Sequence, residues 1–162
     1  MKTLLLTLLL AAATTAFGQT TNRFAATIFS AKASDQSITN TTNMTDVTDL
    51  SFVTQANQKY SVTLLPILEA TGGNFAVQMV ASNATVYGTW NGITSSFGSA
   101  TPATNSFTFG TITTARTALQ QFYVVAGTNA GSVKLQFTQS AASTNVHTLK
   151  AGSFIRADKV PQ

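Results

Sequence analysis

A chain of 162 residues with 44% hydrophobic and only 9% charged residues has the length and apolar content for one buried core, which excludes an intrinsically disordered chain. Its formal charge of +4 comes from nine Lys and Arg against five Asp and Glu; the bases are scattered singly, so the basic patch of a nucleic-acid binder is missing. No cysteine is present, which excludes disulfides, thiolate nucleophiles and thiolate metal sites and leaves burial alone to hold the fold.

The N-terminus reads as a secretory signal peptide over residues 1–18: Lys2 is the basic start, Leu4 to Ala13 the apolar run, and Thr14 to Gly18 the small-residue cleavage region. Cleavage before Gln19 is expected, with cleavage after Ala16 as the near alternative. The apolar run is about half the roughly 20 residues a spanning helix needs, so no membrane span is expected after cleavage. Residues 19–162 are expected to form a single domain.

From there apolar residues recur with period two, the signature of half-buried strands. Phe24 to Ser30 is the first candidate strand. Asp35 to Asp49 is a polar Thr/Asn-rich stretch, expected as an extended segment or short edge strand. Within it, Asp46 and Asp49, with Asn43 and nearby carbonyls, are a candidate Ca²⁺ site because that cation prefers hard oxygen ligands. The competing reading is side chains that cap their own turns.

Leu50 to Thr54 is the next strand, and Tyr60, Val62 and Leu64 alternate up to Pro66; with no N–H to give a ladder, Pro66 requires a bend, bulge or edge there. Glu69, the single glutamate, is expected beside a turn in solvent. After the turn at Thr71 to Asn74, Phe75, Val77 and Met79 alternate again. Thr85 to Trp90 carries Tyr87 and the only tryptophan, Trp90, next to Asn91. An exposed indole here would stack on a sugar or enter a protein contact, while a buried one would fill the space between sheets. Ser106 to Thr113, Ala118 to Ala126, Gly131 to Gln139 and His147 to Val160 complete the candidate strands. In Gly131 to Gln139, Val133, Leu135 and Phe137 take one face and Lys134 and Gln136 the other.

Catalytic groups are scarce. The one histidine, His147, is expected to begin an inward-facing row; neither G-x-S-x-G nor a helix-borne His motif accompanies it. Phosphate-binding glycine loops are absent and no cofactor is expected. Asn40, Asn43 and Asn83 head N-x-Thr sequons, frequent by chance in so threonine-rich a chain.

Eight or nine short strands broken by Gly, Asn, Ser and Pro clusters predict an all-β fold, an antiparallel β-sandwich of jelly-roll type. A membrane-inserted barrel is the runner-up, disfavoured because Lys134 and Arg156 interrupt any continuous lipid-facing band. Lys32 to Ser37, Asp46 to Phe52, Ala56 to Tyr60, Gly131 to Gln139 and Lys150 to Ala157 together resemble a β-rich domain of tail, fibre and other virion-associated proteins of bacteriophages and prophages. That resemblance implies a compact β-sandwich, an assembly of three subunits, and a structural or adhesive role without catalytic residues. The leader departs from it, because virion proteins assemble in the cytoplasm.

The expected function is therefore that of an exported, non-enzymatic structural or adhesive protein of the cell surface or of a phage-like assembly, secreted or surface-held, with the periplasm left open. Its expected partner is a further copy of itself. The alternative is a secreted carbohydrate-binding module in which Tyr87, Trp90 and Asn91 meet a glycan. The exposure of Trp90 separates the two.

Overall fold

The computed structural model describes residues 26–90 and 107–161. Residues 1–18, where a leader is expected, and Asn91 lie outside them. Among the described residues the chain is all-β, with thirteen strands. In chain order these are β1 (Thr27–Ala31), β2 (Gln36–Ile38), β3 (Thr45–Thr54), β4 (Lys59–Leu65), β5 (Ile67–Ala70), β6 (Asn74–Ser82) and β7 (Ala84–Tyr87). There follow β8 (Phe107–Thr111), β9 (Arg116–Thr117), β10 (Gln120–Ala126), β11 (Gly131–Gln139), β12 (His147–Leu149) and β13 (Phe154–Val160).

Three antiparallel sheets form, ordered β1-β13-β4-β10-β7, β3-β11-β6-β8 and β2-β12-β5-β9. The third repeats the order of the first because the same four stretches of chain run through both, broken at Lys32 to Asp35, at Pro66, at Ala118 and Leu119, and at Lys150 to Ser153. Counting each broken stretch as one run gives eight runs, with β7 added at an edge. Runs one, eight, three and six make one layer, and runs two, seven, four and five the other. Run one pairs with run eight, two with seven, three with six and four with five. This is a long antiparallel hairpin rolled into two sheets, the jelly roll expected from the strand rhythm.

The inward faces supply the core. Tyr60, Val62 and Leu64 of β4, Phe122 and Val124 of β10, and Ile155 and Ala157 of β13 meet Val47, Leu50 and Phe52 of β3, Val133, Leu135 and Phe137 of β11, and Phe75, Val77 and Met79 of β6. On β3 the register jumps so that Ser51 opposes Lys134 while Val47 opposes Leu135, leaving Thr48, Asp49 and Leu50 as a bulge. The bulge shifts parity, which is how Val47, Leu50 and Phe52 all reach the core despite uneven spacing.

At the shared break, side chains replace the ladder. Ser153 is fully buried; its Oγ accepts the Ile67 N–H at 2.9 Å and donates to the Lys150 carbonyl at 2.8 Å. Lys32 N–H donates to the Ser153 carbonyl, and Gly152 N–H returns a bond to the Lys32 carbonyl. The expected single strand from His147 to Val160 is thus two strands, because the tight turn at Lys150 to Ser153 ends the ladder. Fully buried Gln139 does similar work beyond β11: its amide donates to the Asn145 carbonyl at 2.7 Å, and its oxygen accepts the Thr41 N–H at 3.0 Å.

Two stability predictions follow from these positions. Leu135→Ala is expected to cost about 2–5 kcal/mol, whereas Lys134→Ala, whose partner Asp46 is partly exposed, is expected to stay below about 1 kcal/mol; urea unfolding showing equal effects would mean the facing of β11 is misassigned. Ser153→Ala leaves the Ile67 N–H without its acceptor and is expected to cost about 1–3 kcal/mol, visible as a lower urea midpoint at unchanged slope.

Candidate functional site

The expected aromatic site divides. Trp90 is 1% exposed and stands edge-on to Phe122 of one sheet, at 5.1 Å between ring centroids, and to Phe109 of the other, at 6.2 Å. The indole fills the space between the sheets. Gly88 makes this possible: at φ 137° the backbone passes so near β10 that a Cβ would lie 2.9 Å from Phe122 Cδ1, a path only glycine follows.

Tyr87 instead faces outward, 55% exposed, and directly opposes Tyr123 of β10, which is 37% exposed. Sequence reasoning missed Tyr123, although the alternation Gln121, Phe122, Tyr123, Val124 carries the signal for its outward direction. Sequence reasoning also did not single out Phe29 of β1, which is 62% exposed with its ring centroid 5.5 Å from Phe154. All four rings lie on the outer face of the five-stranded sheet. One row across that face reads Tyr87, Tyr123, Ser61, Asp158, Thr27, and the next reads Gln121, Thr63, Arg156, Phe29. Asp158 accepts a hydrogen bond from Thr27 at 2.6 Å and pairs with Arg156 Nε at 2.9 Å.

The structure does not bring Asp46 and Asp49 together as a calcium site. Asp46 lies on the outer face of β3, where it pairs with Lys134 and accepts from Gln136 Nε2 at 2.5 Å. The bulge carries Asp49 to the corner with β1, where buried Lys32 reaches its Oδ2 at 3.3 Å. Each carboxylate is already neutralised by a lysine, and no group of three or more metal-ligating acids or histidines occurs among the described residues.

The other ionisable groups follow the same pattern. Glu69 sits near the end of β5, two residues before the bend that begins at Thr71, on a shallow cleft of about 350 Å³ with Thr71, Thr113 and Thr148, and its carboxylate meets Lys150 at 3.2 Å. Asp35 shares that lysine at 2.6 Å, so all five carboxylates of the sequence are in ion pairs. The Lys150 ammonium and the Ala151 N–H hold Asp35 below the ordinary value of 3.8. Lys134 and Gln136 do the same to Asp46, and Thr27 with Arg156 to Asp158. His147 is fully buried in an inward-facing row, as expected, stacked on Phe75 at 4.7 Å with Nε2 2.7 Å from the Gly72 carbonyl. Because that carbonyl only accepts, Nε2 is the donor in this bond. Nδ1 is buried without a partner among the described residues.

No protein-family model and no curated protein sequence matches the chain. Among solved structures it is similar to the structure of infectious bursal disease virus Gt strain, at 16% identity and a TM-score of 0.39 over 87% of this chain and 39% of that one. It is also similar to the crystal structure of the infectious bursal disease virus VP2 subviral particle, at 16% identity and a TM-score of 0.26 over 83% of this chain and 40% of that one. The chain thus spans about two-fifths of the length of those chains, and the jelly-roll assignment rests on the strand pairings above.

The paired carboxylates predict the pH range of stability. A carboxyl with a lowered folded value contributes stability above its unfolded value and loses it as pH falls through the folded one. Lys150, raised above 10.5 by Asp35 and Glu69, contributes below that value and loses its contribution as pH rises through the raised one. Loss of these contributions is expected to lower the thermal midpoint below about pH 4 and above about pH 10; a midpoint unchanged from about pH 5 down to about pH 2 would contradict the assignment.

Proposed function

We propose that this protein is an exported, non-enzymatic β-sandwich that works by presenting and packing its outer faces, as a structural or adhesive protein of the cell surface or of a phage-like assembly. The observation that carries this reading is the employment of its reactive groups. Every carboxylate is held by a cation, the histidine is stacked in the core, and the tryptophan bridges the two sheets. General acid and base work needs titratable groups converging on an open site. Among the described residues, what reaches solvent is a weakly charged surface whose exposed aromatic residues gather on one sheet face, and low charge removes the repulsion that keeps β proteins apart. The expected leader of residues 1–18 supports export, and the resemblance to phage fibre domains supports self-association.

A second reading, a secreted carbohydrate-binding module, is favoured by the exposed Tyr87 and Tyr123 pair, which offers ring faces for a sugar. Expression of the full chain in a bacterium separates the two. The expected result is protein outside the cytoplasm beginning at Gln19 or Phe17, associated in light scattering and without affinity on a glycan array. A strict monomer that binds glycans would establish the second reading; intact Met1 on cytoplasmic protein would overturn export.

A further inference from the structure

The outer face of the five-stranded sheet is self-complementary. Its central strand is β4, and the register puts unlike partners at equal distances on either side of it. Tyr123 and Asp158 both oppose Ser61, and Gln121 and Arg156 both oppose Thr63. Consider a second copy laid face to face, related by a two-fold axis parallel to β4 between the sheets. Such an axis carries each residue to the opposite side of β4, so Tyr123 of one copy lies over Asp158 of the other, and Gln121 over Arg156, twice over.

Both contacts match in chemistry. A phenol O–H donates to a carboxylate that retains acceptor sites beyond its bonds to Thr27 and Arg156. A guanidinium that spends Nε on Asp158 keeps further donors for the Gln121 amide oxygen. At the margins the same axis sets β1, with Phe29, against β7, with Tyr87. Packed sheets cross at about 30°, which displaces positions one strand from the axis by roughly 2–3 Å, within reach of a tyrosine or an arginine.

We infer that this face is an isologous interface with a second copy of the chain, held by reciprocal Tyr123 to Asp158 contacts. The inference rests on the reading that the protein self-associates. Five strands of four to seven residues span on the order of 500 Å² of planar area, below the roughly 600–1,000 Å² per partner found in stable interfaces, so weak association, at micromolar concentrations, is expected. A glycan stacked on Tyr87 and Tyr123 would leave Phe29, Phe154 and the symmetric placement of Asp158 and Arg156 unused.

Sedimentation velocity of the chain from Gln19, across the micromolar range, tests this. The unmodified protein is expected to dimerise. Tyr123→Glu sets carboxylate against carboxylate and is expected to weaken dimerisation at least tenfold, while Val53→Glu, on the outer face of the other sheet, leaves it unchanged. Mixing the Tyr123→Glu and Asp158→Lys variants is expected to restore the dimer, since one contact becomes an ion pair and the other stays native. Circular dichroism matching the unmodified chain establishes that each exposed variant is folded. An oligomer indifferent to Tyr123→Glu, or a closed trimer, would overturn this interface while sustaining self-association. Loss without rescue on mixing would overturn the two-fold register, and an unmodified chain that stays monomeric would overturn both this interface and the self-association beneath it.

Discussion

Burial between the two sheets is the interaction on which everything else here depends. Without cysteine, no covalent link shares the load, and each fully buried Leu or Phe contributes about 1.5–3 kcal/mol against the entropy of ordering the chain. That contact presupposes highly non-local pairing within each layer: run one must find run eight, which pairs Thr27 with Asp158. Such topologies fold slowly because loop closure precedes the reward of packing. Trp90 belongs to this contact, since its ring touches both sheets at once, and Gly88 is the backbone concession that admits it.

A fold held only by burial must still satisfy the polar groups it encloses, and here uncharged side chains do so. Ser153 replaces a missing ladder partner at the break, Gln139 ties the segment after β11 to Thr41 and Asn145, and Tyr60 accepts the Gln55 N–H through its hydroxyl. The Ser, Thr, Asn and Gln content of the sequence is therefore structural as well as superficial. The ion pairs lie at the periphery: Lys32 with Asp49 at the corner of the sandwich, Lys150 with Asp35 and Glu69 beside the break, and Lys134 with Asp46 and Arg156 with Asp158 on the outer faces.

Much of the fold was legible in the amino-acid order because alternation in Gly131 to Gln139 or Tyr60 to Leu64 reports directly which face is buried. Gln36–Ile38 lies at a sheet edge inside the polar stretch where a short edge strand was expected, whereas Ile67–Ala70 and Arg116–Thr117 are too brief for a periodic signal and exist because the longer runs they belong to continue past the break. Asp46 and Asp49 stood out as a candidate calcium pair, and the lysines that occupy them, Lys134 and Lys32, come from positions distant in sequence that only the folded chain brings near. The outer aromatic face was half visible. Tyr87 stood out beside Trp90, but its pairing with Tyr123, and the mirror placement of Asp158 about β4, are properties of register between strands distant in sequence.

The central claim is that the aromatic chemistry of this protein divides between a core tryptophan that builds the sandwich and outer rings that face a partner. Acrylamide quenching of Trp90 fluorescence tests that division most directly, because the chain has one indole. Blue-shifted emission, weak quenching in the folded protein and strong quenching only after urea unfolding are the expected results. Ready quenching in the native state, or an emission shift on adding soluble glycans, would contradict the claim.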